Sequence, residues 1–228
     1  MLLSPGTNYI IDGVQHQIPA TEEFKGKIPK LTEKKKIFLT EIKRILHYFH
    51  NQCEDLSIPY YICCGTLLGA LKVEGILPWD TDADVSVNRA DARKIEEAFN
   101  SSDCPYKLIP FRYGYKLCTR TLLGYPFVDI MIVDLLPKEL SSSDEPVYSF
   151  CYPIKRGKPS FELLWFFNKK KHPQNVVFPL RKYTFEGMEL WGPNDGYEVC
   201  RLNYGEKCFY QSFVKFFDKH WITALIRM

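Results

Sequence analysis

The chain has 228 residues, 46% of them hydrophobic and 15% aromatic, with a formal net charge of +3. This length makes one domain the default, and the apolar content excludes an intrinsically disordered chain. The small net charge gives no electrostatic footprint for nucleic acid, and no segment approaches the roughly 20 apolar residues of a membrane-spanning helix.

Residues 1–30 are rich in turn formers and poorly periodic, and read as an N-terminal arm ahead of a single domain over 31–228. The opening MLLSPGTNYIIDG lacks the basic and apolar regions of a signal peptide. The expected location is therefore cytoplasmic; the secretory-pathway lumen is the alternative for a chain with an anchor upstream. Thr32 is placed to cap a helix in which Ile37, Ile42, Ile45, Leu46 and Phe49 recur at helical spacing, to about Asp55. The triplets Lys34-Lys35-Lys36 and Lys169-Lys170-Lys171 read as solvated helix faces. Ser57-Ile58-Pro59 breaks the helix, and Tyr60–Cys64 reads as a buried strand.

Gly65-Thr66 opens a short helix, TLLGALKVEG, closed by Gly75. Ala83–Val87 reads as a second strand, and Asn88 or Asp91 caps the helix that follows it. A strand pair around Leu108 and Tyr115–Cys118 precedes the most apolar strand, Phe127–Val133. Ser141–Asp144 is a polar loop. Helices are expected over Ser160–Lys171, over about Asn194–Asn203 and from Tyr210 to the end, the last burying Phe213, Phe216, Phe217 and Trp221. The fold class is α+β: a mixed sheet flanked by helices, with a C-terminal helical elaboration.

Eight cysteines occur without a C-x-x-C pair, which argues against a zinc ribbon. His47, His50 and Cys53 spread too far around their helix to form a metal face. Reduced core thiols are the simplest account of the cysteines, and the even count leaves disulfides open in an oxidising compartment.

The chemistry concentrates in residues 75–87, GILPWDTDADVSV, where Asp80, Asp82 and Asp84 occupy every second position. On a strand, Asp82 and Asp84 share one face. Like charges so close need compensation, and a divalent cation such as Mg2+ is the natural partner. Asp80 has the same parity and is either a further ligand or a turn former after Pro78-Trp79. Upstream, Gly65 lets a phosphate approach the backbone, where the Thr66 hydroxyl and the helix-start N–H groups can hold it. Downstream, Asp129 stands isolated between Val128 and Ile130, a costly place for an acid without a partner or metal. Asp134 is the runner-up for the third acid. Lys116 and Arg120 stand where bases could meet a diphosphate, with a solvated strand edge as the alternative. Trp79 reads as a packing residue that fixes the turn. No Ser-His-Asp or activated-cysteine pattern is present.

These motifs resemble the nucleotidyltransferase superfamily, and within it the LicD family, which includes bacterial phosphocholine transferases and fukutin. The family pattern reads roughly GTLLG, a basic residue, a glycine turn, then IPWDDDID. Here it appears as Gly65-Thr66-Leu67-Leu68-Gly69, Lys72, Gly75 and Ile76–Val85, with Thr81 and Ala83 as departures that leave D-x-D intact. Val128-Asp129-Ile130 resembles the strand of the third acid, and Asn203-Tyr204-Gly205-Glu206 a C-terminal tyrosine-glycine motif. The resemblance implies Mg2+ or Mn2+ on Asp82 and Asp84, with Asp129 completing the site or activating an acceptor hydroxyl. It implies donor phosphates at Gly65 and Thr66, neutralised by Lys72. The implied reaction moves a phosphorylated small alcohol from a CDP-linked donor to a glycan hydroxyl. Transfer of a nucleoside monophosphate and a non-catalytic binding role remain as alternatives on the same residues.

Overall fold

The computed structural model describes residues 2–26, 28, 30–111, 113–138, 141, 143–151 and 171–213. The first element is a hairpin of β1 (Asn8–Ile11) and β2 (Val14–Gln17). Asp12 and Gly13 both take positive φ at its turn, the twist that two-residue hairpins favour. The N-terminal residues are thus no extended arm: Ile11 and Ile18 are fully buried. A short strand, β3 (Glu23–Lys25), follows.

Helix α1 (Glu33–Asp55) begins at Thr32, whose side chain accepts from the Lys35 N–H as expected of a cap. Its buried stripe is Leu39, Ile42, Ile45, Leu46, Phe49 and Cys53. Ile37 is exposed, because it lies five residues from Ile42 and so off that face. Strand β4 (Tyr60–Ile62) leads into α2 (Cys64–Val73), closed by Glu74 in the left-handed conformation where Gly75 was the expected stop. Then come β5 (Ala83–Asn88), a 3-10 turn over Arg89–Asp91, and α3 (Ala92–Phe99). Asn88 caps that turn through the Ala90 N–H.

The hairpin β6 (Lys107–Phe111) and β7 (Gly114–Cys118) precedes β8 (Phe127–Leu135). The later elements are β9 (Val147–Phe150), β10 (His172–Pro173), α4 (Gln174–Val177), β11 (Arg181–Phe185), β12 (Met188–Gly192) and α5 (Gly196–Tyr204). A last strand, β13 (Gln211–Phe213), pairs in parallel with β3 where a helix was expected. Residues 160–170 of the helix expected over Ser160–Lys171, and the chain after 213, lie outside the described residues.

The central sheet is mixed and seven-stranded, flanked by helices. Its axis is β8, with β5 parallel along one edge. On its other edge, β7 pairs with the first half and β9 with the second. Val85, Val87, Val128, Ile130, Ile132, Tyr115 and Leu117 join the main core with residues of α1 and α3. Strand alternation sends Asp84, Lys116, Asp129 and Val133 to the opposite face. There Val133 packs with Tyr61, Tyr148, Phe150 and Val177. All eight cysteines are buried and none is in a disulfide.

Two buried ion pairs tie distant segments to α2. Lys72 donates to Glu22 at 2.7 Å and to the Cys208 carbonyl at 3.1 Å, and both side chains of the pair are almost fully enclosed. His16 meets Glu186 at 3.1 Å and the Val73 carbonyl at 3.0 Å. Glu186 sits at positive φ in the turn between β11 and β12 and accepts the Ile76 N–H at 2.8 Å. A side chain at Gly75 would strike both His16 and Glu186, so only glycine fits between them.

Removing one partner of a buried ion pair strands the other charge. Lys72→Ala should therefore destabilise the fold by about 3–5 kcal/mol in urea unfolding, and Lys72→Ala/Glu22→Gln should recover part of that loss. Burial pushes the His16 imidazole down, but the Glu186 carboxylate against Nε2 and the Val73 carbonyl outweigh it and hold its pKa above the ordinary value. A raised folded-state pKa stabilises fully below the unfolded value, about 6.5, and the gain fades as pH rises through the folded value. Unfolding free energy measured from pH 6 upward should fall along that window in the wild type, with the slope flattened in His16→Gln.

Candidate metal centre and active site

The site lies where the loop after α2 enters β5 beside the start of β8. The parallel register sets Asp84 opposite Asp129, and the antiparallel register sets Lys116 opposite Asp129. Asp82, just before β5, completes a cluster: one carboxylate oxygen from each of Asp82, Asp84 and Asp129 lies within 4.8 Å of the others. Asp80 closes on the same place from the preceding turn. A Cβ built at Gly65 would sit 2.8 Å from the Asp80 carboxylate, so glycine is what admits that acid to the head of α2.

Local donors hold the cluster. The Gly65 N–H donates to Asp84 Oδ2 at 3.3 Å, a contact supported by the positive end of α2. Thr66 Oγ1 accepts the Asp84 N–H at 2.7 Å and ties α2 to β5. Lys35 donates to the Asp80 carbonyl, so one lysine of the triplet expected to be solvated instead braces the acidic loop. Trp79 packs edge-on against Phe24, in line with its expected packing part. Cys64, the first residue of α2, takes a positive φ that non-glycine residues rarely adopt, a local strain at the edge of the cluster.

The electrostatics follow from crowding. Burial first, then Cys64 and the carboxylates of Asp82, Asp129 and Asp80, push the Asp84 pKa well above the ordinary carboxylate range. Burial raises Asp129 too, while the Lys116 ammonium, bonded to its Oδ1 at 2.5 Å, opposes that rise. Tyr204, at the end of α5, keeps 44% of its surface exposed, yet its phenol lies in the same field, and its enclosed surroundings followed by Cys64, Asp84 and Asp80 raise its pKa. A hard divalent cation takes carboxylate oxygens. Three convergent carboxylates, with Asp84 raised by burial and crowding and Asp129 by burial, form a donor set that fits Mg2+ or Mn2+.

Several sequence expectations take other places. Asp134 is not part of the cluster: five residues along the strand from Asp129, it points to the opposite face and pairs with Arg89. Lys72 lies nearly two helical turns beyond Gly65 and is buried against Glu22, so it is no phosphate counter-charge. Thr66 is buried with its hydroxyl on β5, and the Gly65 N–H is engaged by Asp84; these groups position an acid, where phosphate binding was expected. Arg120 donates to the Cys104 carbonyl at 2.9 Å. Of the expected bases, Lys116 is the one the sheet brings to the acids. His50 bonds the Tyr60 hydroxyl at 2.8 Å and belongs to no metal face. The parts played by Lys35 and by the His16–Glu186 pair behind Gly75 went unforeseen; Asp12-Gly13 between apolar residues was a readable signal for the hairpin that carries His16.

Comparisons with known proteins show which family this chain resembles. Residues 57–195 match a family model, LicD, described as the LicD/FKTN/FKRP nucleotidyltransferase domain. "Uncharacterized protein RP689" of Rickettsia prowazekii (strain Madrid E) is 27% identical over 146 residues, 64% of this chain and 47% of that protein. The lipopolysaccharide cholinephosphotransferase LicD of Haemophilus influenzae is 40% identical over 55 residues, 24% of this chain and 21% of that protein. The chain thus spans less than half the length of the curated relatives it matches. Among solved structures, the lincosamide antibiotic adenylyltransferase LnuA with lincomycin bound aligns over 81% of this chain and 96% of its own, at 14% identity and a TM-score of 0.43. The family match covers more than half of the chain and takes in the three clustered aspartates, Asp80 and Lys116. The protein belongs to the LicD/FKTN/FKRP nucleotidyltransferase-domain family.

Proposed function

We propose that the protein is a metal-dependent phosphotransferase that moves a phosphorylated small alcohol from a CDP-linked donor to a hydroxyl of a glycan. The observation that carries this reading is the convergence of Asp82, Asp84 and Asp129 within 4.8 Å at the mouth of the sheet. The similarity to a lipopolysaccharide cholinephosphotransferase supports the substrate class.

Asp82, Asp84 and Asp129 would hold Mg2+ or Mn2+, with Asp80 beside them. When bound, the ion supplies positive charge against the donor's diphosphate. The remaining work is positioning. Thr66 and the Gly65 N–H fix Asp84, and Lys35 fixes the loop that carries Asp80 and Asp82. Asp129 would complete the metal site or, as the alternative role, accept the proton that an attacking hydroxyl releases. Lys116, already against Asp129, would bring an ammonium to the donor's phosphate charge.

Titration calorimetry with CDP-choline and CDP-ribitol tests the reading. Heat with one of them should require Mg2+ and vanish in Asp82→Asn/Asp84→Asn. A response to CTP or ATP alone, followed by nucleoside monophosphate in the product, would replace this reading by nucleotidyl transfer.

Crowded carboxylates favour function at the expense of stability. Without divalent cations at pH 7, Asp84→Asn should melt at a higher temperature than wild type, because a buried acid crowded by other carboxylates gives way to a neutral side chain. Added Mg2+ should raise the melting temperature of the wild type and leave that of Asp84→Asn nearly unchanged, as read by differential scanning fluorimetry.

A further inference from the structure

Asp84, Asp129 and Lys116 form one row across three neighbouring strands, each opposite the next in register. The backbone therefore fixes the meeting of Lys116 with Asp129. The ammonium is 2.5 Å from Asp129 Oδ1 and also lies over the Phe127 ring, 3.6 Å from its centre, with the Phe111 ring centre at 5.0 Å. Ring faces attract a cation and give this one a second place to rest. The Lys116 side chain is 31% exposed and that of Asp129 11%, so the lysine can move toward solvent while the carboxylate stays.

An ion held by the same oxygen at the usual Mg2+ distance would lie within about 4.6 Å of the ammonium. Two cations that close repel each other, and they compete for the same lone pairs. We propose that Lys116 is an exchangeable counter-ion: it neutralises Asp129 until a divalent cation displaces it along the face of Phe127, where its charge meets a phosphate of the incoming nucleotide. Lys116 thereby weakens metal binding and strengthens phosphate binding. The inference rests on the metal-site reading above and adds to it a lysine that sets the metal affinity.

Mn2+ titration followed by electron paramagnetic resonance, and CDP titration at saturating Mn2+, test it on wild type, Lys116→Met and Lys116→Arg. Lys116→Met should bind Mn2+ about ten-fold more tightly and CDP about ten-fold more weakly, opposite changes that a merely structural residue does not produce. Lys116→Arg should stay near wild type in both. Unchanged or weaker Mn2+ binding by Lys116→Met with a native circular dichroism spectrum overturns the inference, as does unchanged CDP binding. Lys116→Gln takes the place of Lys116→Met if that variant does not fold. A wild-type protein that binds no Mn2+ overturns the metal-site reading itself, which separates the two failures.

Discussion

Two carboxylates on adjacent strands, opposite each other in a sheet whose other face is sealed by apolar side chains, are the constraint that the rest of this structure serves. Asp84 and Asp129 cannot separate without breaking the β5–β8 register, and that register is fixed by Val85, Val87, Ile130 and Ile132 on the other face. The repulsion is therefore held in place by hydrophobic packing. Around it the chain sets compensating charge: the head of α2 at Gly65 and the ammonium of Lys116. A protein optimised for stability alone would have apolar residues in that row.

The elements legible in the sequence were those with a periodic or stereochemical signature. Helix α1 showed in its apolar stripe and its threonine cap, and β5 and β8 in short apolar runs. The acids showed as charges where alternation demanded a strand. Partner choice was harder to read, because it depends on which distant segments meet. The sequence placed Lys72 at a family position, but nothing local announced that Glu22, fifty residues upstream, would enclose it. The Thr66 hydroxyl read as a phosphate donor because an N-terminal helix hydroxyl commonly is one; β5 lies close enough to occupy it. Ile37 misled because hydrophobicity alone does not place a residue on a stripe. Glu74 carries the helix stop one residue before the expected glycine, since Gly75 is required for a different reason: His16 and Glu186 leave no room for a side chain there.

That last feature bears on how large the autonomous folding unit is. The segment that matches the family begins at residue 57, yet the imidazole that pairs with Glu186 comes from β2, forty-one residues earlier. A fragment trimmed to the matched segment would leave a glutamate sealed in the interior without its cation, directly beneath the bend that launches the aspartate loop. The N-terminal hairpin is thus an internal prop of the aspartate loop, although it touches none of the acids.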